Sequence, residues 1–508
     1  MIFSKLSRYI LALQFSSVAM MVSAEETLHY EASLTAGTGS GTFAPYYLSS
    51  IQHGRITQAD NVQAEVAVTR KMDFSNRFSY GYGIDLVGGY ASATTYEYYD
   101  KSLDGWNNHR LRPSAAWIQQ LYAEIKYRSL FLEAGLKEQR SGLLNQNLTS
   151  GDLVESGNAR PMPQMRAGFL DFQDIPFTGG WLQIKGEGAF GYMTDNGWLK
   201  EHYNYFNAHI AFDQIYNYKC VYFRTKPSKP FSMIFGMQAA ATFGGRTEWY
   251  YRGKIERVAK HNRSLRYFVK MMFPTQDGGD GFYSGNHLGS WDIRARYRLK
   301  NADEIYAYTS WLWDDGSGIG KLNGFDGLWG VEYKAARKGL INSAVFEYFD
   351  FTNQSGPIHF DPADNTGCNL PAHVSGADDY YNNATYNPYA YYGLSIGSPV
   401  MMAPLYNRDG VLSYIANAVR GFHVAAEGSI NPVLDYRVKT GYRKGWGTAK
   451  RMLKRPMRLS AFMMEAEWHP KRLGGMSVRA AMEIDNGNMP EKAFGVMLGV
   501  RYSGLLKL

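Results

Sequence analysis

Apolar and polar residues alternate one by one along most of this chain. Leu28, Tyr30, Ala32, Leu34 and Ala36 interleave with His29, Glu31, Ser33 and Thr35. Phe78, Tyr80, Tyr82, Ile84, Leu86 and Tyr90 share one face, and Ser79, Gly81, Gly83 and Asp85 the other. Phe231, Met233, Phe235, Met237, Ala239, Ala241 and Phe243 repeat the pattern, as do Phe494, Val496, Leu498, Val500 and Tyr502. Period two is the pleat of a β-strand with unlike faces. The runs last roughly 8 to 13 residues, the length of a tilted strand crossing a bilayer. Strands of soluble sandwiches are shorter, about 5–6 residues.

Strands are expected near 27–36, 62–70, 78–90, 117–128, 130–136, 166–172, 181–192, 213–223, 231–243, 290–300, 305–313, 328–334, 341–349, 421–428, 433–443, 457–468, 476–484 and 493–502. The connections between them alternate long and short. Lys226-Pro227-Ser228-Lys229-Pro230, Asn301-Ala302-Asp303-Glu304 and Ile430-Asn431-Pro432 are short; 244–289 and 350–420 are long. That alternation marks an outer-membrane barrel, with short periplasmic turns and long outer loops. The reading is all-β: a transmembrane antiparallel β-barrel of about 18 strands, with long extracellular loops and few short helices. An even count puts both termini on the periplasmic side. Leu265, Phe268, Val269 and Met272 fall on one face of a helix expected over 262–273, inside an outer loop.

Composition narrows the class further. Hydrophobic residues are 45% of the 508 and charged residues only 20%, while Gly (53), Tyr (38), Phe (27) and Trp (11) are abundant. This excludes a disordered chain, a coiled coil and a helical membrane protein. The only stretch apolar enough to consider for insertion is N-terminal. Lys5 and Arg8, an apolar core from Tyr9 to Met21 and the small-x-small Val22-Ser23-Ala24 read as a signal peptide over 1–24, cleaved after Ala24. The barrel then occupies 25–508 and resides in the outer membrane. Losing Lys5 and Arg8 lowers the net charge from +8 to +6, a weak preference for anionic partners. Cys220 and Cys368 could pair in an oxidising compartment, but no Cys/His spacing resembles a zinc site.

Several loop segments are distinctive. They are Ser156-Gly157-Asn158-Ala159-Arg160-Pro161-Met162-Pro163-Gln164, Ser284-Gly285-Asn286-His287-Leu288-Gly289-Ser290-Trp291-Asp292, Asn353-Gln354-Ser355-Gly356-Pro357, Asp378-Asp379-Tyr380-Tyr381-Asn382 and Pro404-Leu405-Tyr406-Asn407-Arg408-Asp409-Gly410. In this order, after a signal peptide, they resemble the Wzi family of capsule-assembly outer-membrane proteins, in the form common among Bacteroidetes. The resemblance implies an occluded 18-stranded barrel that binds capsular polysaccharide and helps attach it to the cell. Long outer loops would close one end and helices the other. One departure is at the C-terminus, where Ser503 to Leu508 follow the terminal aromatic of the last expected strand, Tyr502.

The candidate chemistry lies in two places. The 350–420 tract joins aromatic rings, which pack on sugar C–H faces, to carboxylates and amides that bond sugar hydroxyls. Asp378, Asp379, Tyr380, Tyr381, Asn382, Asn407, Arg408 and Asp409 are the polysaccharide-binding candidates. The plainer alternative is a self-packing lid. With apolar faces toward lipid, Arg294, Arg296, Arg298 and Arg437 form a basic lumen face. It either guides an acidic polymer or is neutralised by Glu427, Glu465, Glu467 and Glu483 on neighbouring strands. Asp378-Asp379 and Asp361, Asp364 and Asn365 match no complete calcium loop, so no metal and no cofactor is expected. His287 and Ser290 lack an acid partner and an oxyanion motif, so no enzyme is expected. The expected partners are capsular or other surface polysaccharide and outer-membrane lipid, and no nucleic acid. The competing reading is a diffusion porin for anionic solutes.

Overall fold

The computed structural model describes residues 27–273, 285–314, 318–361 and 373–507. The expected signal peptide over 1–24, Cys368, Asp364 and Asn365 lie outside these residues. The main sheet closes on itself as an antiparallel barrel of 18 strands. In chain order they are β1 Thr27–Ser40, β2 Asn61–Arg70, β3 Phe78–Ala91, β4 Ala116–Tyr127, β5 Leu130–Leu136, β6 Pro163–Phe169, β7 Leu182–Tyr192, β8 Ile215–Thr225, β9 Phe231–Phe243, β10 Asn286–Arg298, β11 Glu304–Asp314, β12 Gly327–Lys334, β13 Ser343–Asp350, β14 Val419–Asn431, β15 Leu434–Gly447, β16 Met452–Trp468, β17 Met476–Gly487 and β18 Ala493–Lys507. Every expected strand has its counterpart. The strand expected at 166–172 is shifted three residues: β6 starts at Pro163 and hands over to a two-residue continuation, Gln173–Asp174, against β7. The last strand does not stop at Tyr502. It runs to Lys507, because β1 offers partners down to Thr27↔Lys507.

Each strand pairs with its sequence neighbour, and β1 pairs with β18 from Thr27↔Lys507 to Ser40↔Phe494. Closure leaves no open edge, which is how a sheet satisfies its backbone in lipid. The faces are inverted relative to a soluble protein. Leu34, Val66, Phe346 and Leu498 are about half exposed on the outer wall, whereas Glu347 and Glu483 are fully buried in the lumen. Among the described residues no helix is long and apolar enough to cross a membrane.

The lumen is filled from one end. Residues 41–60, 137–162 and the described parts of the 351–418 connection, 351–361 and 373–418, all leave from the extracellular ends of strands, and their buried side chains fill the lumen. The first carries helix α1, Tyr46–Ser49. Its free amides at Tyr47 and Leu48 donate to Glu483 (2.8 and 2.7 Å), and that of Tyr46 donates to Asp485 (2.8 Å). Strand carboxylates thus satisfy the orphan donors of the helix start. The second loop runs deepest. Thr149 and Ser150 donate to Glu347 (2.8 and 2.6 Å), and Asn145 reaches Glu332 and Ser343 (2.9 and 3.1 Å). His423 lies between the two loops. Its Nε2 faces the Leu148 carbonyl at 2.6 Å, which can only accept, so Nδ1 accepts from the Tyr47 hydroxyl at 2.8 Å.

Helix α2, Trp198–His202, and helix α3, Leu265–Met272, belong to the extracellular connections. The latter falls within the helix expected over 262–273. Among the described residues the extracellular end also carries a hairpin, Thr94–Asp100 with Gly105–Leu111, and a three-stranded sheet of Asn207–Phe212, Arg246–Tyr251 and Lys254–Lys260.

Candidate functional site

Residues 376–418 form a lid over the inserted 137–162 loop, and most of the expected sugar-binding side chains hold that lid together. The Tyr381 hydroxyl donates to the Leu153 carbonyl (2.5 Å) and accepts from the Ser398 amide (3.1 Å). Tyr380 donates to Asp326 (2.9 Å) and accepts from Asn323 (3.0 Å). Asp378 accepts from Ser355 (2.5 Å), and Asn407 donates to the Val411 and Ser413 carbonyls (2.8 and 2.7 Å). All four residues are buried. Asp379 accepts from Asn417 (2.6 Å) and Asn382 (3.0 Å), while Asn382 and Tyr414 exchange two bonds. The self-packing alternative therefore describes this segment of the lid. Burial pushes the Asp326 carboxyl up to about 6, against bonds from the Gln354 and Asn353 amides and the Tyr380 hydroxyl that favour the carboxylate. Only Arg408 and Asp409 of the set face solvent. Arg408 bonds Glu491 at 2.9 Å and also Thr42.

The basic lumen face is paired. Arg294 meets Glu332 at 2.6 Å and donates to the Leu143 carbonyl of the inserted loop. Arg296 and Arg298 share Glu304 (3.5 and 3.1 Å), and Arg437 lies between Glu465 (2.8 Å) and Glu427 (3.3 Å). The strong positive interior implied by the arginines alone is thus neutralised by these acids. A vestibule of about 660 Å³ remains at the periplasmic end, lined by Arg224, Arg294 and Arg296 and by the turn residues Arg337 and Lys338. Residues Gly142 to Asn147 of the inserted loop line it too.

His287 and Ser290 sit on opposite faces of β10, three residues apart in a pleat of period two. Ser290 points inward and donates to Asp292 (3.0 Å). The two side chains cannot form a nucleophile–base pair. Cys220 is buried in the lumen wall. Among the described residues no group of three or more His, Cys, Asp or Glu side chains converges as metal ligands.

A further cluster was not expected from the sequence. Tyr99 and Trp106 of the outer hairpin meet Phe206, at the edge of the three-stranded sheet, with ring centroids 5.2 and 5.0 Å away. Tyr251 extends the group, 6.2 Å from Phe206. Trp106 is 51% exposed and Tyr251 46%. Arg252 and Asp104 pair beside the rings (2.9 Å), and Arg252 donates to the Tyr99 hydroxyl (3.2 Å). Backbone bonds from Arg252 to Phe206 (2.7 Å) and from Tyr99 to Asn204 (2.8 Å) fix the rings in place. Exposed rings with flanking charged hydrogen-bonding groups are the elements of a sugar platform. They come from three separated segments, and no local pattern marks any of them.

No protein-family model matches the chain, and no curated protein matches it in sequence. Among solved structures it is similar to Wzi of Escherichia coli, described as an outer-membrane protein involved in group 1 capsule assembly and a carbohydrate-binding β-barrel. That likeness has a TM-score of 0.56 at 12% identity and covers 93% of this chain and 83% of that one. OccAB2 of Acinetobacter baumannii matches at TM-score 0.48 and 8% identity, over 95% of this chain and 98% of that one. OccD1 (OprD) matches at 0.44 and 7%, over 95% and 96%. The resemblance noted in the loop motifs is thus supported as a distant likeness of fold. This chain folds as an 18-stranded β-barrel of the outer-membrane kind.

Proposed function

We propose that this chain is a non-enzymatic outer-membrane barrel that binds surface polysaccharide at its extracellular end and helps hold capsule to the cell. The observation that carries this reading is the pair of exposed rings Trp106 and Tyr251 about a half-buried Phe206, with the Arg252–Asp104 pair beside them. The loop-filled lumen supports it, since a solute route would have to pass the 137–162 insertion and the lid. The likeness to a carbohydrate-binding capsule-assembly barrel agrees with it. Arg408 and Asp409 are exposed lid residues that can add polar contacts. One sugar binds weakly, because each bond largely replaces one to water. A polymer that meets several copies is held by effective concentration.

The test compares cell-bound and released polysaccharide in matched parent, deletion and Trp106→Ala/Tyr251→Ala cultures. Retention predicts a higher released fraction at constant total in both mutants. An unchanged ratio in the deletion strain rejects the reading, and a fall in total polymer points to synthesis or export. The basic vestibule favours a second reading, a porin for anionic solutes. Steady large conductance of the unmodified protein in planar bilayers would establish it.

A further inference from the structure

Helix α3 does not cap the barrel mouth; it lies on the outer wall. Tyr218, Tyr222 and Glu187 face the lumen, so Asn217, Lys219, Gly188, Ala239 and Ala241 face outward, on the same side as Val221 and Trp291. The helix rests on this outward face. Phe268 packs on Phe190 and Phe243 at 5.0 and 5.2 Å, and Met271 is fully buried against Ile215 and Ala241. The seat is cut from small residues: a β-carbon on Gly188 would lie 2.7 Å from Met272 Cε. Lys219 donates to the Met271 carbonyl (2.6 Å), pinning the last turn to the wall.

With Tyr267, Phe268, Met271 and Met272 turned inward, the rest of the helix splits into two stripes. Leu265, Val269 and Phe273 follow one another at intervals of four and are 82%, 56% and 70% exposed. Arg263, Arg266 and Lys270 line the adjacent edge. Arg263 reaches the Asp213 carbonyl (3.0 Å) and lies 4.0 Å from the Asp213 carboxylate, with a side chain still 43% exposed. The apolar stripe continues the lipid-facing wall, where Val221 and Trp291 lie just below the helix. Water has no favourable use for three such side chains in a row, and the charged edge sits where phosphates of an outer leaflet would meet it.

We propose that α3 is an in-plane anchor, with Leu265, Val269 and Phe273 set among acyl chains and Arg263, Arg266 and Lys270 binding the phosphates of a phosphorylated glycolipid of the outer leaflet. The seat is on the barrel wall and is independent of the polysaccharide reading.

The test uses the full-length protein extracted from outer membranes, with bound phosphorylated lipid measured by mass spectrometry. Each cation near a charged surface is worth roughly fivefold in affinity. Arg266→Glu/Lys270→Glu should therefore lower co-purified lipid more than tenfold or so, with the heat-modifiable gel shift of a folded barrel retained. In a second measurement, Val269→Cys with Cys368→Ser carries an environment-sensitive fluorophore in phospholipid vesicles containing lipid A. Acyl-chain bromine should quench it and aqueous iodide should not. Equal lipid content in parent and charge variant, or iodide quenching undiminished by the vesicle, overturns the anchor. If the charge variant fails to fold, the fluorophore measurement decides alone.

Discussion

Tyr381 shows how one hydroxyl ties the lid to the plug. It serves the Leu153 carbonyl and the Ser398 amide at once, in a fully buried site. Tyr381→Phe would strand both groups, at about 1–3 kcal/mol each before relaxation. Amide exchange should quicken over residues 152–156 and 396–398 while the strands stay protected; unchanged exchange there contradicts the role. His53 makes a second junction. It receives a bond from Arg140 (2.9 Å), and its amide donates to Gly157 (2.9 Å). Burial pushes its imidazole down to about 4 from 6.5, against the pull of Glu138. A group lowered in the folded state binds fewer protons there than when exposed. Its stabilisation is complete above about 6.5 and is lost as pH falls through about 4, up to ~3 kcal/mol. Hydrogen exchange at residues 53–55 and 138–157 should accelerate below pH ~6. His53→Gln should flatten that dependence.

At the scale of elements, the inserted loop decides whether the barrel is a channel. Its anchors are lumen carboxylates, Glu347 above all, which also accepts from Tyr308 (2.6 Å). The unmodified protein should give no steady conductance in a planar bilayer. Deleting residues 142–151 should open a path into the vestibule and give conductance favouring anions, because Arg224, Lys334, Arg337 and Lys338 line it beyond the cations that Glu332 and Glu427 balance. A silent deletion variant with intact heat-modifiability would place the block in the lid instead. Strand positions could be read from alternation, because a strand buries one face whatever its neighbours are. The inward course of 137–162 could not. Asn145, Thr149 and Ser150 are ordinary loop residues, and only closure of the barrel sets Glu332 and Glu347 opposite them.

For the whole molecule, the inverted wall makes a prediction that a soluble barrel would not share. Leu498 is 55% exposed at mid-strand, facing outward between Ala36 and Ala480. On a soluble surface Leu498→Lys would be nearly neutral. In a bilayer a lysine near the midplane costs about 2–4 kcal/mol. Denaturant unfolding in lipid vesicles should show that loss, and a value near zero would place Leu498 out of contact with lipid.

The strands, their approximate number, the alternation of long and short connections and the helix near residue 265 were legible in the chain alone. These are local properties: a two-residue period, a four-residue stripe and the length needed to cross lipid all live within a dozen neighbouring residues. The roles of the polar residues emerge only once the barrel has closed. The Tyr, Asp and Asn of the lid look the same in sequence whether they face sugar or one another, and closure turned Asp378, Tyr380, Tyr381 and Asn407 inward. The arginines of β10 acquired partners from β11, from β12 and from a loop 150 or so residues away. Trp106, Phe206 and Tyr251 became one surface because three outer segments dock together. Long-range pairing depends on which strands close the ring, and no window along the chain contains that information.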